Sequence, residues 1–500
     1  MQFANHSQAK TPLLDALREC ANKHHAPFYA PGHKRGQGIL PQLADCLGSD
    51  VFRADLPELP ELDNLFAPQG VIQEAQQLAA AAFGAEHTWF LVNGSTCGVE
   101  AAILATCTPG DKIILPRNVH QSAIAALILS GALPIFVTPE YDQVLDIAHS
   151  ITPGGVAAAL KQHPDAKAVM MVYPTYYGVC GDVAAIAQLA HQHSIPLLVD
   201  EAHGAHFAFH PDLPTPALAG GADLTVQSIH KVLGAMTQAS MLHTQGSWID
   251  IDRLTKSLQL VQSTSPSYLL LASLDAARQQ MAVQGEQLMS RTLQLADAAR
   301  TRISQIPGLS VLEPPGAPHS ATLQTPGFVA LDRTRLTVTV SGLGLTGFEA
   351  DEILAQHCVL AELPSLQHLT FIVSLGNTAA DIELLVQSFT NLANCYRRSG
   401  YNVQASVGDK VTQITDYAEL SPISPRDAFF SQTETLPVEK ICDRISAELV
   451  CPYPPGIPIL MPGEVITPSA LEYLQQVLAM GGVITGCADA SLRTLKVVKD

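Results

Sequence analysis

Five hundred residues exceed what one hydrophobic core usually organises, so two or three domains are expected, and 47% hydrophobic with 15% charged side chains describe a globular chain and not a disordered one. The excess of 46 acidic over 28 basic residues, a net charge of -18, argues against a nucleic-acid footprint; it serves solubility and mildly favours cationic small ligands. Ten scattered cysteines, with no CxxC pair and no Cys/His cluster at zinc spacing, indicate neither a disulfide framework nor a metal site and fit free thiols in a reducing cytosol.

The opening stretch "MQFANHSQAKTPLL" lacks the basic start, apolar run and small-residue cleavage site of a signal peptide, which points to a cytoplasmic protein. His33 follows in a glycine-bearing "PGHKRG" loop, where a turn histidine is the plain reading, and the acidic stretch "DLPELPELDNLF" comes next. From about residue 70 to 245, short apolar runs alternate with amphipathic ones. The runs "TWFLV", "KIILP", "PIFVT", "AVMMVY", "PLLVD", "DLTVQS" and "SMLHT" read as strands, with helix-like segments such as "VIQEAQQLAAAAFG" and "DVAAIAQLAHQHS" between them. Strands buried on both faces and alternating with helices predict an α/β domain on a mainly parallel seven-stranded sheet, whose ligands collect at the carboxyl ends of the strands. The most apolar run, "SAIAALILSGALPIFV", is broken by Gly131 and Pro134 and is too short to span a bilayer; it reads as a buried helix followed by a strand.

A long amphipathic stretch from 268 to 306 leads into a smaller α+β region with strands in "LSVLE", "RLTVTVS" and "LTFIVSL" and a closing helix "DIELLVQSFTNLANCYRR". Within it "GLGLTG", residues 342–347, matches GxGxxG, with Glu362 fifteen residues beyond the last glycine, the outline of a dinucleotide site. Thr346 and Glu349, however, form a T-x-x-E capping box, so the helix begins after the glycines and these make a connecting loop instead of a phosphate cradle. Prolines and turns after residue 400, in "SPISPRDAFF" and "CPYPPGIPILMPGE", mark a third element. The resulting division is 1–285 for an N-terminal segment plus large domain, 286–400 for a small α+β domain and 401–500 for a C-terminal domain.

Three strand ends in the large region carry chemistry. "TWFLV" runs into "NGSTCGVE", where a glycine, Ser95, Thr96 and the start of a helix make an anion site, though an N-cap serine explains the same pattern. "PLLVD" ends on Asp200, with His203 three residues on: a carboxylate able to bond a protonated ring nitrogen, or a turn cap. "DLTVQS" delivers Ser228, His230 and Lys231 to the same edge, and a lysine desolvated beside a histidine becomes an amine nucleophile able to form a Schiff base. An anion pocket, a terminal aspartate and a lysine 31 residues after it match pyridoxal 5'-phosphate, which has a phosphate, a pyridine nitrogen and an aldehyde.

The stretches "FYAPGHKRG", "LVNGSTCG", "PRNVHQS", "YPTYYGVCGD", "DEAHGAH", "SIHKVLGAMTQASML", "STSPSYLLLASLD" and "PYPPGIPILMPGE", in order from residue 28 to 464, make the chain resemble the Orn/Lys/Arg decarboxylases, fold-type-I pyridoxal-phosphate enzymes. The likeness is strongest to their short branch, which lacks an N-terminal receiver-like domain. The resemblance implies that Lys231 holds the cofactor covalently, that Asp200 keeps its ring nitrogen protonated and that His120 stacks on the ring. It further implies that Ser95, Thr96, Ser228 and His230 hold the phosphate and that His203 lies near the ring hydroxyl or the substrate carboxylate. Ser263, or Thr264 or Ser265 beside it, would reach the phosphate of a neighbouring subunit, which requires at least a homodimer. His33 would lie near the site entrance. Residue Glu464 is either structural or substrate-facing.

The cofactor does not choose the reaction, because aminotransferases and lyases of this fold share the lysine and the aspartate. Aminotransferases clamp the substrate carboxylate with an arginine on a late strand, and "LTFIVSLGNT" has none, as suits a carboxylate that must leave as carbon dioxide. The reading is decarboxylation of a basic amino acid, arginine ahead of lysine and ornithine, to the corresponding amine. A pyridoxal aminotransferase or lyase and a non-catalytic pyridoxal-binding regulator stay open. A carboxylate must meet the substrate's cationic end, and "DLPELPELDNLF" or Glu464 are the candidates, each also readable as surface or structural.

Overall fold

The computed structural model describes residues 8–317, 325–397, 422–453 and 457–499. Residues 1–7 of the opening stretch, the boundary drawn at residue 400 and residues 454–456 of "PYPPGIPILMPGE" lie outside the described residues. All seven strands read from the sequence form: β1 (His87–Leu91), β2 (Lys112–Pro116), β3 (Leu133–Val137), β4 (Ala168–Val172), β5 (Leu197–Asp200), β6 (Leu224–Gln227) and β7 (Ser240–Thr244). Among the helices are α1 (Val71–Phe83), α2 (Gly94–Thr106), α3 (Gln121–Ser130), α4 (Val183–Gln192), the one-turn α5 (Ile229–Val232) and the long α6 (Tyr268–Ser304). Helix α1 shows how closely local chemistry fixes these boundaries. Asp63 gathers the N–H groups of Gly70 at 2.7 Å and Ile72 at 3.2 Å to start it, and Gly84 ends it with φ of 74°, a left-handed turn that suits glycine.

The chain divides into two compact units, residues 1–105 with 198–289 and residues 106–197 with 290–500. In the first the strand order is β1-β7-β6-β5. Strand β7 runs antiparallel to both neighbours, while β5 and β6 are parallel, with Asp200 opposite Val226. Helix α2 lies tight on these strands: a Cβ at Gly98 would meet Val226 at 2.6 Å and Leu91 at 2.7 Å, so only glycine permits the approach.

In the second unit the run β4-β2-β3 is parallel throughout. The same unit contains a four-stranded antiparallel sheet of β8 (Ser310–Val311), β9 (Arg335–Thr339), β10 (Leu363–Pro364) and β11 (His368–Ile372), in the order β8-β9-β11-β10. Its core joins Leu336, Val338, Leu369 and Phe371 to α7 (Gly347–Gln356) and α8 (Ala379–Arg397). Phe389 of α8 is fully buried there, worth about 2–3 kcal/mol. Two short ribbons, β12 (Thr433–Pro437) with β15 (Thr494–Val498) and β13 (Cys451–Tyr453) with β14 (Val483–Thr485), share a separate core with α9 (Pro468–Ala479).

The "GLGLTG" loop is spent on packing. Gly342 faces the Gly308 carbonyl, Gly347 faces those of His368 and Ser365, and α7 begins behind a complete Thr346/Glu349 capping box. No described helix is long and apolar enough to cross a membrane.

Candidate active site

In the first unit, β1 turns into α2 at Gly94, whose φ of 75° an L side chain would resist. Ser95 and Thr96 therefore fall in the first turn of α2, where N–H groups lack intrahelical partners, rather than at its cap. The Ser228 hydroxyl donates to that of Ser95 at 2.8 Å, so the ends of β6 and β1 meet in a pair of hydroxyls. Cys97, one turn on, is buried, and desolvation pushes its thiol up to about 12, which removes it as a nucleophile.

Asp200 is 7% exposed and accepts the N–H of Ala202 at 3.2 Å, which fixes one carboxylate oxygen at the end of β5. Lys231 lies on α5, and its Nζ is 3.1 Å from His203 Nε2. The imidazole nitrogen that meets this lysine at 3.1 Å belongs to His203, while its chain neighbour His230 feels its charge. Burial, then the charge of Lys231, holds the His230 imidazole down to about 4, so it is neutral at physiological pH.

Ser263 is exposed. Its N–H donates to Asn93 Oδ1 at 3.4 Å, beside the β1–α2 turn, and its hydroxyl accepts the N–H of Ser265 at 3.1 Å. His33 is held within its own loop. Its Nδ1 accepts from Gly36, its Nε2 lies 3.1 Å from Asp55, and its ring stands edge-on to Phe52.

In the second unit His120 caps α3, accepting the Ser122 N–H at Nδ1 at 3.2 Å. Three residues earlier, Arg117 donates to the carbonyls of Pro458 and Ile459 and to Glu464 Oε2 at 3.0 Å. Glu464 also accepts the Met461 N–H and is 4% exposed; burial pushes its carboxyl up against the pull of Arg117.

Both carboxylate sources considered for the substrate's cationic end are therefore engaged in structure. In "DLPELPELDNLF", Asp55 meets His33, Glu58 accepts from Asn64 and Glu61 pairs with Lys23 at 2.8 Å. Burial pushes the Asp63 carboxyl up, but bonds from the N–H groups of Gln69, Asn64, Gly70 and Gln73 outweigh it and hold it low.

One set of buried polar groups was not singled out from the sequence. Glu201, fully buried, accepts the Ala217 N–H at 2.8 Å and the Gln227 amide at 2.8 Å. Gln227 Oε1 lies 3.1 Å from His243 Nε2, and His243 Nδ1 lies 2.7 Å from the Thr88 hydroxyl. Burial raises the Glu201 carboxyl to about 7 and lowers the His243 imidazole to about 3. The available signal was alternation: Thr225 and Gln227 alternate with Leu224 and Val226 along β6.

The model of the Orn/Lys/Arg decarboxylase major domain matches residues 11–381, and that of the C-terminal domain matches residues 413–487. This chain belongs to the Orn/Lys/Arg decarboxylase family. It is 40% identical to an arginine decarboxylase of Bacillus anthracis over 99% of this chain and 98% of that one. Identity is again 40% to an arginine decarboxylase of Bacillus subtilis (strain 168), over 99% of both. Among solved structures, lysine decarboxylase A from Pseudomonas aeruginosa superposes with a TM-score of 0.83 at 24% identity, covering 99% of this chain and 81% of that one, which shows the same fold.

Decarboxylases of this family use pyridoxal phosphate, and the residues present fit it. Paired hydroxyls at a helix N-terminus suit a phosphate, a nearly buried carboxylate suits a protonated pyridine nitrogen, and an amine beside an imidazole suits an aldehyde.

Proposed function

We propose that this decarboxylase removes the α-carboxyl group of L-arginine as carbon dioxide, leaving agmatine. The observation that carries the reaction is the placement of Lys231 beside His203, in one unit with Asp200 and the Ser95/Ser228 hydroxyl pair. Arginine is favoured over lysine because relatives 40% identical over nearly their whole length are named arginine decarboxylase.

In this reading Ser95, Thr96, Ser228 and the N–H groups opening α2 bind the phosphate, with the neutral His230 ring as a further partner. When bound, pyridoxal phosphate supplies a cationic ring that takes up the electron pair released as carbon dioxide leaves. Asp200 holds the proton on the ring nitrogen, and its bond from Ala202 keeps the carboxylate aimed. Lys231 Nζ holds the proton that returns to the substrate Cα, and His203 Nε2 orients that amine. The test is to incubate the protein and pyridoxal phosphate with each of the twenty amino acids and identify the amine by mass. Agmatine is expected; cadaverine would move the assignment to lysine, and a keto acid without carbon dioxide would replace decarboxylation with transamination.

We propose also that the active unit is at least a homodimer, with the exposed residues Ser263, Thr264 and Ser265 reaching the partner's phosphate. Dilution below the dissociation point should then release cofactor and activity together, read by mass photometry and visible absorption. A monomer that keeps full activity would exclude it.

A further inference from the structure

Glu201 follows Asp200 directly, so the two carboxyl groups leave the end of β5 toward opposite faces of the sheet. Asp200 shares its face with Val226, Leu242 and Trp89, its partners in register across β6, β7 and β1, and α2 covers that face through Gly98. The opposite face carries Thr88, His243, Thr225 and Gln227. It is covered by α1, whose Phe83 ring stacks on His243 with centroids 4.8 Å apart. A row of polar groups on a buried sheet face is costly unless its members are bonded to one another. Thr88, His243, Gln227 and Glu201 form one chain across four strands, the buried Thr225 hydroxyl standing outside it without a hydrogen-bond partner, and the Gln227 amide that donates to Glu201 sets the direction of the chain. The Gln227 amide N–H points to Glu201, which leaves Gln227 Oε1 to take a proton from His243 Nε2 and His243 Nδ1 to take one from Thr88.

We infer that Glu201 is a positioning residue for the active site: the Thr88–His243–Gln227–Glu201 chain fixes the ends of β5 and β6, and thereby Asp200 and the Ser228–Lys231 turn that leave them. The inference rests on the roles proposed above for Asp200 and Lys231. The second oxygen of Glu201 reinforces the same point, because its bond from Ala217 closes the loop that carries His203, the partner of Lys231. That loop has no slack: a Cβ at Gly204 would stand 2.8 Å from Glu201 Cγ. One carboxyl group therefore ties together the origins of Asp200, Lys231 and His203. No atom of the Thr88–His243–Gln227–Glu201 chain is given a part in the chemistry, yet a displacement of about 1 Å in the groups it holds costs on the order of 10²-fold in rate.

The variants Glu201→Ala and Glu201→Gln separate this role from a general contribution to stability. Glutamine keeps the bond from Ala217 and, with the Gln227 amide and the His243 tautomer reversed, every bond of the chain; alanine removes them. In Glu201→Ala, amide exchange of the full chain without cofactor should quicken in 201–205 and 228–232. Pyridoxal phosphate affinity should fall at least ~10-fold, and kcat should fall more than KM rises, while Glu201→Gln stays within ~3-fold on all three. Wild-type exchange and affinity in Glu201→Ala, or equal damage in both variants, would overturn the inference.

If Glu201→Ala does not fold, Thr88→Val cuts the far end of the chain and should quicken exchange in 228–232 and weaken cofactor binding by ~5-fold, the worth of one hydrogen bond. No change there would overturn it equally. Exchange is read without cofactor, so a wild-type protein that failed to bind pyridoxal phosphate would sink the proposed function and leave this measurement intact.

Discussion

Lys231→Ala should abolish covalent cofactor attachment and lower carbon dioxide release by at least ~10³-fold, within the range for losing a positioned acid–base group. Lys231 Nζ lies 3.1 Å from His203 Nε2, in one unit with Asp200 and the Ser95/Ser228 hydroxyl pair, and a primary amine placed there can form the covalent link to an aldehyde and later return a proton. Borohydride treatment of the wild-type protein should bleach the visible band and leave a pyridoxyl group on the peptide containing Lys231. A label on any other lysine, or a Lys231→Ala protein that still fixes the cofactor covalently, would reject the assignment. Circular dichroism controls for folding.

The large sheet was legible because buried strands announce themselves as short apolar runs between turns, and each of the seven runs became a strand. Thr346 and Glu349 identified a helix start from spacing alone and so disposed of the glycine-rich decoy beside them. Partnerships between segments distant in sequence were not legible. Adjacency suggested His230 as the neighbour of Lys231, but successive side chains on a helix point about 100° apart, and the loop after β5 brings His203 Nε2 to within 3.1 Å of the amine. The acidic stretch before α1 suggested a cation site, whereas Asp63 is spent on backbone N–H groups that no sequence pattern displays. Glu201 was hidden by its position: beside a strand-terminal aspartate it reads as one more polar loop residue, and only the register of four strands shows that it ends a buried chain of hydrogen bonds.

Asp200→Asn should lower the rate of carbon dioxide release by at least ~10²-fold, the scale of removing one strong preorganised electrostatic stabiliser. The substitution is nearly isosteric, and the asparagine oxygen can still accept the Ala202 N–H, so the end of β5 should keep its shape. What changes is the charge behind the ring nitrogen. A neutral amide does not hold a proton there, and without that proton the bound cofactor is a weaker acceptor of the electron pair left by the departing carboxyl group. Because that pair develops only as the bond breaks, the loss should appear in kcat, with KM and cofactor affinity changing by less than ~10-fold. A Glu201→Gln protein measured alongside separates the two adjacent carboxyl groups, since it keeps the charge of Asp200 and should keep most of the rate. Near-normal turnover in Asp200→Asn would contradict the role given to Asp200. A drop confined to KM would assign this carboxylate to binding instead of to the chemical step.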